Sequence, residues 1–490
     1  VRSNQIQLLE TENVGGIYDI GPKAWVSNAR PNNYGYDIYG RLADSDQYTD
    51  IEGTQFKLAD APKEPVFYSL YFQDKMEFND LIINFGLRYD RFDSKAQRLL
   101  NPDNPSKDDN TKTFNADAWE DVEAYNEFSP RLGFSFPVSE KTVFYLQYGK
   151  FVQMPELETM FAGEHEYNYE YIAAGFAFSD PVGFALEPVR TTSYEVGFRQ
   201  QLGRVAAFDL AGFYRNVRGQ VQMDQVIPVA TAGLSPYNIL VNGDFATTQG
   251  LELSVTLRRI QRLQGQFNYT FTSAEGTGST RGVNYAALEQ DVDRPSVVNP
   301  LDFEQAHRGS IIMDYRFAQN DGGVVLRNLG LNAIYTFNSG HPYTYALSQV
   351  GQADAYSSGT DYNIDPRFRK PLEAVNSSKT PWFSNLDIRV DKTFSVLQSL
   401  DLTVYARVLN VFNTQNVINV FPASGSAYDD GFYNNVNVDQ RNQYLTAYGE
   451  QWYNQYQAIN INNGQAYWDQ IGNQLFANPR QIFLGIKLTY

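Results

Sequence analysis

Side chains able to do chemistry are few and scattered. The three histidines, His165, His307 and His341, share no ligand spacing. "GEHEY" offers Glu164, His165 and Glu166, but residues adjacent in sequence seldom converge on one ion. The acidic run 101–125 lacks the alternating carboxylates and central glycine of a calcium loop and reads as a solvated loop. No nucleophile elbow, phosphate-binding loop or dinucleotide fingerprint occurs in the right context. We therefore expect no catalytic residue, no cofactor and no metal site. One cluster suits contact rather than catalysis: Tyr444, Tyr448, Trp452, Tyr456 and Ile459 recur at helical spacing. Such a stripe either packs its helix on neighbouring loops or walls a binding vestibule with rigid aromatic surface.

The elements that must carry these residues are strands. Apolar residues alternate in "LIINFGLRY", where Leu81, Ile83, Phe85, Leu87 and Tyr89 oppose Asn84, Gly86 and Arg88. Leu251, Leu253, Val255 and Leu257 oppose Glu252, Ser254, Thr256 and Arg258. The pattern recurs through Leu263–Phe271, through Leu386–Asp391 and at the end of the chain in "RQIFLGIKLTY". A period of two means a strand with two different environments. The segments are longer than usual strands and match a tilted crossing of a bilayer. Their polar faces carry Arg, Glu, Asp, Gln and Asn, as a wide aqueous lumen requires. Carboxylates such as Glu195, Glu252, Asp387 and Asp391 are expected to face Arg199, Arg258 and Arg389 there.

The totals agree. The 490 residues hold 34 Tyr and 33 Phe but only 5 Met, and rings of that kind suit strands and the water–lipid boundary. A mean hydropathy of −0.43 and the absence of long apolar runs exclude membrane-spanning helices, not a barrel. A net charge of −17 argues against nucleic acid as a partner. The absence of cysteine is compatible with an oxidising, periplasm-facing compartment.

Strands are predicted near 65–78, 80–92, 129–137, 141–152, 191–202, 205–216, 246–259, 262–273, 307–317, 329–339, 382–395, 399–412 and 480–490. Between them short links alternate with long ones, among which are 93–128, 217–245 and 413–479. Outer-membrane barrels show this asymmetry, with tight periplasmic turns and long extracellular loops. A weaker candidate, Asn4 to Glu12, would make about fourteen strands, and 13–64 would then be a further outer loop.

Several stretches resemble TonB-dependent outer-membrane receptors. They are "EPVFYSLYFQDKMEFNDLIINFGLRYDRFD" (64–93), "FSPRLGFSFPVSEKTVFYLQYGKFVQMP" (128–155), "EPVRTTSYEVGFRQQL" (187–202), "TTQGLELSVTLRR" (247–259), "DFEQAHRGS" (302–310), "NLDIRVDKTF" (385–394) and "LNVFNTQNV" (409–417). Their ordered succession carries the resemblance, with the Oar-like receptors of Bacteroidetes-type bacteria as the nearest subgroup. It implies that residues 65–490 are the C-terminal part of a 22-strand barrel, with 1–64 adding a strand and an outer loop. The plug domain and TonB-binding segment are expected in a missing N-terminal portion or on another chain. Implied partners are the TonB–ExbB–ExbD complex, outer-membrane lipid, a plug docked on the polar wall, and a substrate. Gly485, Leu488 and Tyr490 fit the terminal signal read by the barrel-assembly machinery. Three other readings stay open on these residues: a complete passive channel of about fourteen strands, an adhesive outer-membrane barrel, and a soluble lectin-like β-protein.

Overall fold

In a computed structural model, thirteen long strands follow one another in a single antiparallel meander. Residues 64–109, 113–161, 182–183, 185–280, 297–347, 370–397, 400–422, 424–428, 438–456, 458 and 475–490 are described, together with 42, 47–49 and 55–57. The candidate strand Asn4 to Glu12 lies outside them, as do Glu164, His165, Glu166 and Ile459.

The strands are β1 (Val66–Phe78), β2 (Leu81–Asp93), β3 (Tyr125–Ser139), β4 (Thr142–Gln153) and β5 (Val189–Leu202). They continue with β6 (Ala206–Val226), β7 (Tyr237–Ile260), β8 (Leu263–Gly276) and β9 (His307–Arg316). The last four are β10 (Leu329–Asn338), β11 (Phe383–Leu397), β12 (Leu400–Leu409) and β13 (Gln481–Thr489). Each pairs with its neighbour in sequence. Among the described residues β1 and β13 each have a single long-strand neighbour.

Register places the alternating residues on common faces. Val390 pairs with Ala406, which pairs with Leu484; Lys392, Val404 and Ile486 form the next such row. The apolar row is bare: Leu251, Val196, Phe144 and Ile486 are all exposed, Leu484 by 80%. A sheet that leaves its apolar face open to the surroundings needs lipid there, not water. No described helix is long and apolar enough to cross a membrane. Strands do the crossing instead.

Aromatic side chains gather on that face toward the long-loop ends. Tyr148 and Tyr194 lie 5.2 Å apart between ring centroids, and Tyr194 and Tyr214 6.3 Å. Tyr89 meets Phe128 at 5.0 Å. Such rings sit at membrane interfaces because one part is apolar and another hydrogen-bonds. On β5, Tyr194 and Leu202 are eight residues apart. At about 3.4 Å per residue and a tilt of about 40°, that is roughly 20 Å of membrane height.

One expected loop is mostly strand. The stretch 217–245 continues β6 and β7, which reach 21 and 24 residues. Pairing runs on to Val226 and Tyr237 across a bulge at Gly219, whose φ is 73°. The Asn242 side-chain amide donates to the Gly219 carbonyl at 2.7 Å. The alternation fades there because this outer part of the hairpin no longer separates lipid from lumen. It packs on other loops instead: Val226 and Tyr237 join Leu99, Phe114 and Ala118 in a buried cluster. A second cluster sets Met160 and Phe161 against Phe92 and Ala96. The long connections thus carry small cores of their own.

Candidate functional site

The polar face of the sheet is its concave side. Arg88, Arg131, Tyr145, Gln147, Glu195 and Arg199, carried by β2 to β5, line one concavity of about 890 Å³. A second, of about 470 Å³, shares Tyr145, Glu195 and Arg199 and continues over Asp209, Glu252 and Ser254. Side chains from separate strands converge here because alternate positions of each strand point inward.

The charges on this wall pair differently from the expectation. Arg199 bonds Asp209 at 2.7 Å, not Glu195 or Glu252. The Tyr145 hydroxyl donates to the same carboxylate at 3.1 Å. Among the described residues Glu195 and Glu252 make no ion pair; they line the concavities. Asp387 accepts from the Asn385 amide at 2.8 Å and the Asn410 backbone at 3.0 Å. Arg389 does reach Asp391, at 3.8 Å, but the principal partner is Arg316, bidentate at 2.9 and 3.0 Å. Arg316 lies 75 positions away in sequence, so only strand pairing brings it near.

These pairs join into a chain near the short-turn ends. Arg259 bonds Asp314, Arg316 lies 3.9 Å from Asp314 and clamps Asp391, and Arg389 stacks over the Tyr405 ring at 4.6 Å. Two glycines make room for it. A Cβ on Gly330 would lie 2.4 Å from an Arg316 nitrogen, and one on Gly485 would lie 2.3 Å from the Tyr405 ring. Gly485 is thus a slot for a neighbouring ring on the lumen side. Leu488 and Tyr490 are exposed on the apolar side at the strand end.

The two described histidines lie in separate hydrogen-bonded settings. Among the described residues no group of three His, Cys, Asp or Glu could hold one. His307 shares a 2.8 Å hydrogen bond with the Tyr269 hydroxyl and stacks on Trp382 at 5.5 Å, on the apolar face. His341 bonds Gln305 at 3.0 Å.

The aromatic stripe is partly assembled. Tyr444 stacks on Trp452 at 5.2 Å and on Tyr448 at 6.2 Å. The rings contact one another along helix Val438–Tyr456, which is interrupted at Gly449 (φ 71°). Tyr448 is exposed. The side chain of Tyr456 lies outside the described residues.

An apolar outer surface, a polar concave wall and folded outer loops define an outer-membrane β-barrel. The chain belongs to the TonB-dependent receptor β-barrel family: the model "TonB dependent receptor-like, beta-barrel" matches residues 4–411. No curated protein sequence matches it. Solved structures similar to it include the FrpB iron transporter of Neisseria meningitidis, at 14% identity and TM-score 0.43, covering 72% of this chain and 42% of that one. The ferric-catecholate import receptor Fiu of E. coli K12 aligns at 15% identity and TM-score 0.41, over 74% of this chain and 42% of Fiu. The outer-membrane transporter YddB of Escherichia coli aligns at 12% identity and TM-score 0.44, over 79% and 54%. This chain therefore spans about half or less of the length of each.

Proposed function

We infer that this chain is the wall of a TonB-dependent outer-membrane transporter. A substrate binds among the outer loops, and the TonB–ExbB–ExbD complex supplies the energy that moves it through the lumen. The observation that carries this reading is the two-faced sheet in a member of this family, with ion pairs and open concavities on its inner side. The polar wall has what a removable plug needs: hydrogen-bonding groups that exchange partners at modest net cost. In this reading the plug and TonB-binding segment belong to a further N-terminal portion or a separate chain. Residues 65–490 are the C-terminal barrel, 1–64 add a strand and loop, and the nearest subgroup is Oar-like. The barrel performs no covalent chemistry.

The test is substrate uptake by cells with and without TonB. Uptake that stops without TonB is the expected result; uptake that persists assigns a passive channel instead. Tyr444, Tyr448 and Trp452 form the proposed loop contact surface, supported by their stacking and the exposure of Tyr448. Gly485, Leu488 and Tyr490 are the proposed assembly signal. Gly485→Val drives a side chain into Tyr405, and a strain of about 1–3 kcal/mol is expected from such overpacking. The expected readout is slower appearance of heat-modifiable, folded barrel in membranes. Wild-type assembly kinetics would remove Gly485 from that role.

A further inference from the structure

The link between β9 and β10 is built differently from the other short turns. Gly322 and Gly323 are both left-handed, at φ 78° and 66°, and launch a single helical turn, Gly323–Leu326. That turn presents Val324 and Val325, 77% and 78% exposed, beside Leu326. Two adjacent branched apolar side chains standing free at a turn gain free energy where lipid rather than water surrounds them.

Their position is set by Lys392. By register Lys392 belongs to the apolar, outward row with Val404 and Ile486. An ammonium on that row must leave the hydrocarbon or find partners. Lys392 does so by donating to the backbone carbonyls of Val325, at 2.8 Å, and Arg327. A side chain rooted on the outward face thus holds the turn, so the turn lies over that face and not over the lumen. Phe317 backs it from the same side: a Cβ on Gly322 would lie 2.7 Å from the Phe317 ring and 2.6 Å from Leu326 Cβ. Arg262 locks the base, stacking on Phe317 at 4.4 Å and clamping Asp321 at 2.6 and 2.7 Å. The neighbouring Arg327 is exposed.

We propose that the β9–β10 turn is a lipid-bedded foot. Val324, Val325 and Leu326 insert into the periplasmic leaflet at the edge of the barrel, and Arg327 faces the phospholipid phosphates. The occupant is lipid, not a protein, because Lys392 ties the turn to the outward row of β11 to β13 and the exposed Arg327 follows its apolar tip in sequence. Such a foot fixes the height of the wall in the membrane on one side.

The chain contains no cysteine, so each substitution introduces the sole thiol of these 490 residues. Val324→Cys and Val325→Cys, each carrying a nitroxide, are placed in the intact protein in phosphatidylethanolamine–phosphatidylglycerol nanodiscs. Collision with oxygen and with a water-soluble nickel chelate is then read by electron paramagnetic resonance. Val196→Cys on the lipid wall and Ile227→Cys at the tip of the long hairpin are the references. The expected result is oxygen-dominated collision at 324 and 325, matching 196. Nickel accessibility matching 227 would overturn the proposal. So would protection from both reagents that arises only when a periplasmic protein is added. Lys392→Met, which removes both carbonyl bonds, is expected to shift the 325 label toward nickel while 196 is unchanged. An unshifted 325 label would show that Lys392 does not hold the foot down; the two labels in the unmodified background decide the foot even where this variant fails to fold.

Discussion

Asp391 is 6% exposed and carries its charge inside the wall, held chiefly by Arg316. A buried carboxylate deprived of its bidentate partner loses more than one left with a distant cation. Arg316→Ala should therefore destabilise the barrel by about 1–3 kcal/mol. Arg389→Ala, whose contact with Asp391 is 3.8 Å, should cost less than half of that. Reversible unfolding in urea with lipid vesicles checks the order; equal losses would mean that the clamp geometry does not matter. The pairing explains why sequence reading chose Arg389 and missed Arg316. Arg389 is two positions from Asp391, whereas Arg316 arrives through the pairing of β9 to β10 and β10 to β11. A signal did exist in Gly330, which lies between them in register, where a side chain would block the arginine.

At the level of elements, the strands were legible wherever they separate lipid from lumen. The prolonged ends of β6 and β7 and the fold of the β9–β10 turn were not. A hairpin leaving the membrane keeps its hydrogen bonds but loses its two environments, so alternation no longer reports it. The turn shows how local electrostatics shape a link. Hydrogen bonds from Arg262 hold the Asp321 carboxyl below its ordinary value of 3.8 and raise the Arg262 value in return. A carboxyl whose value is lowered on folding contributes fully above its unfolded value, and the contribution is lost as pH falls through the lowered folded value. A spin label at Val324 should thus stay immobile through mildly acidic pH and loosen only below about 3.8. In Asp321→Asn the acid-dependent step should vanish. Loosening near neutral pH would exclude Asp321 as the latch.

At the scale of the whole molecule, the two faces of the sheet answer to different solvents. Val196 stands on the outer face near the middle of β5, between Tyr194 and Leu202. Val196→Arg should cost about 1–2 kcal/mol, between the value for a cation at the bilayer midplane and that at the interface. Ser254→Arg on the inner wall should cost no more than about 1 kcal/mol, the loss of its hydrogen bond to Asn268, since its side chain lines an open polar concavity. Unfolding in lipid vesicles distinguishes the two, and comparable costs at both positions would mean that both faces share one environment.

The order of residues along the chain was enough to mark thirteen strands, their antiparallel succession and which side of each is apolar, because a period of two leaves its mark on every local segment. Pairing across distant positions settled the rest. Asp391 chose Arg316, Gly485 became a slot for Tyr405, and Lys392 pulled a turn onto the outer face. Those outcomes depend on which side chains lie opposite one another across strands, and local periodicity carries no record of that.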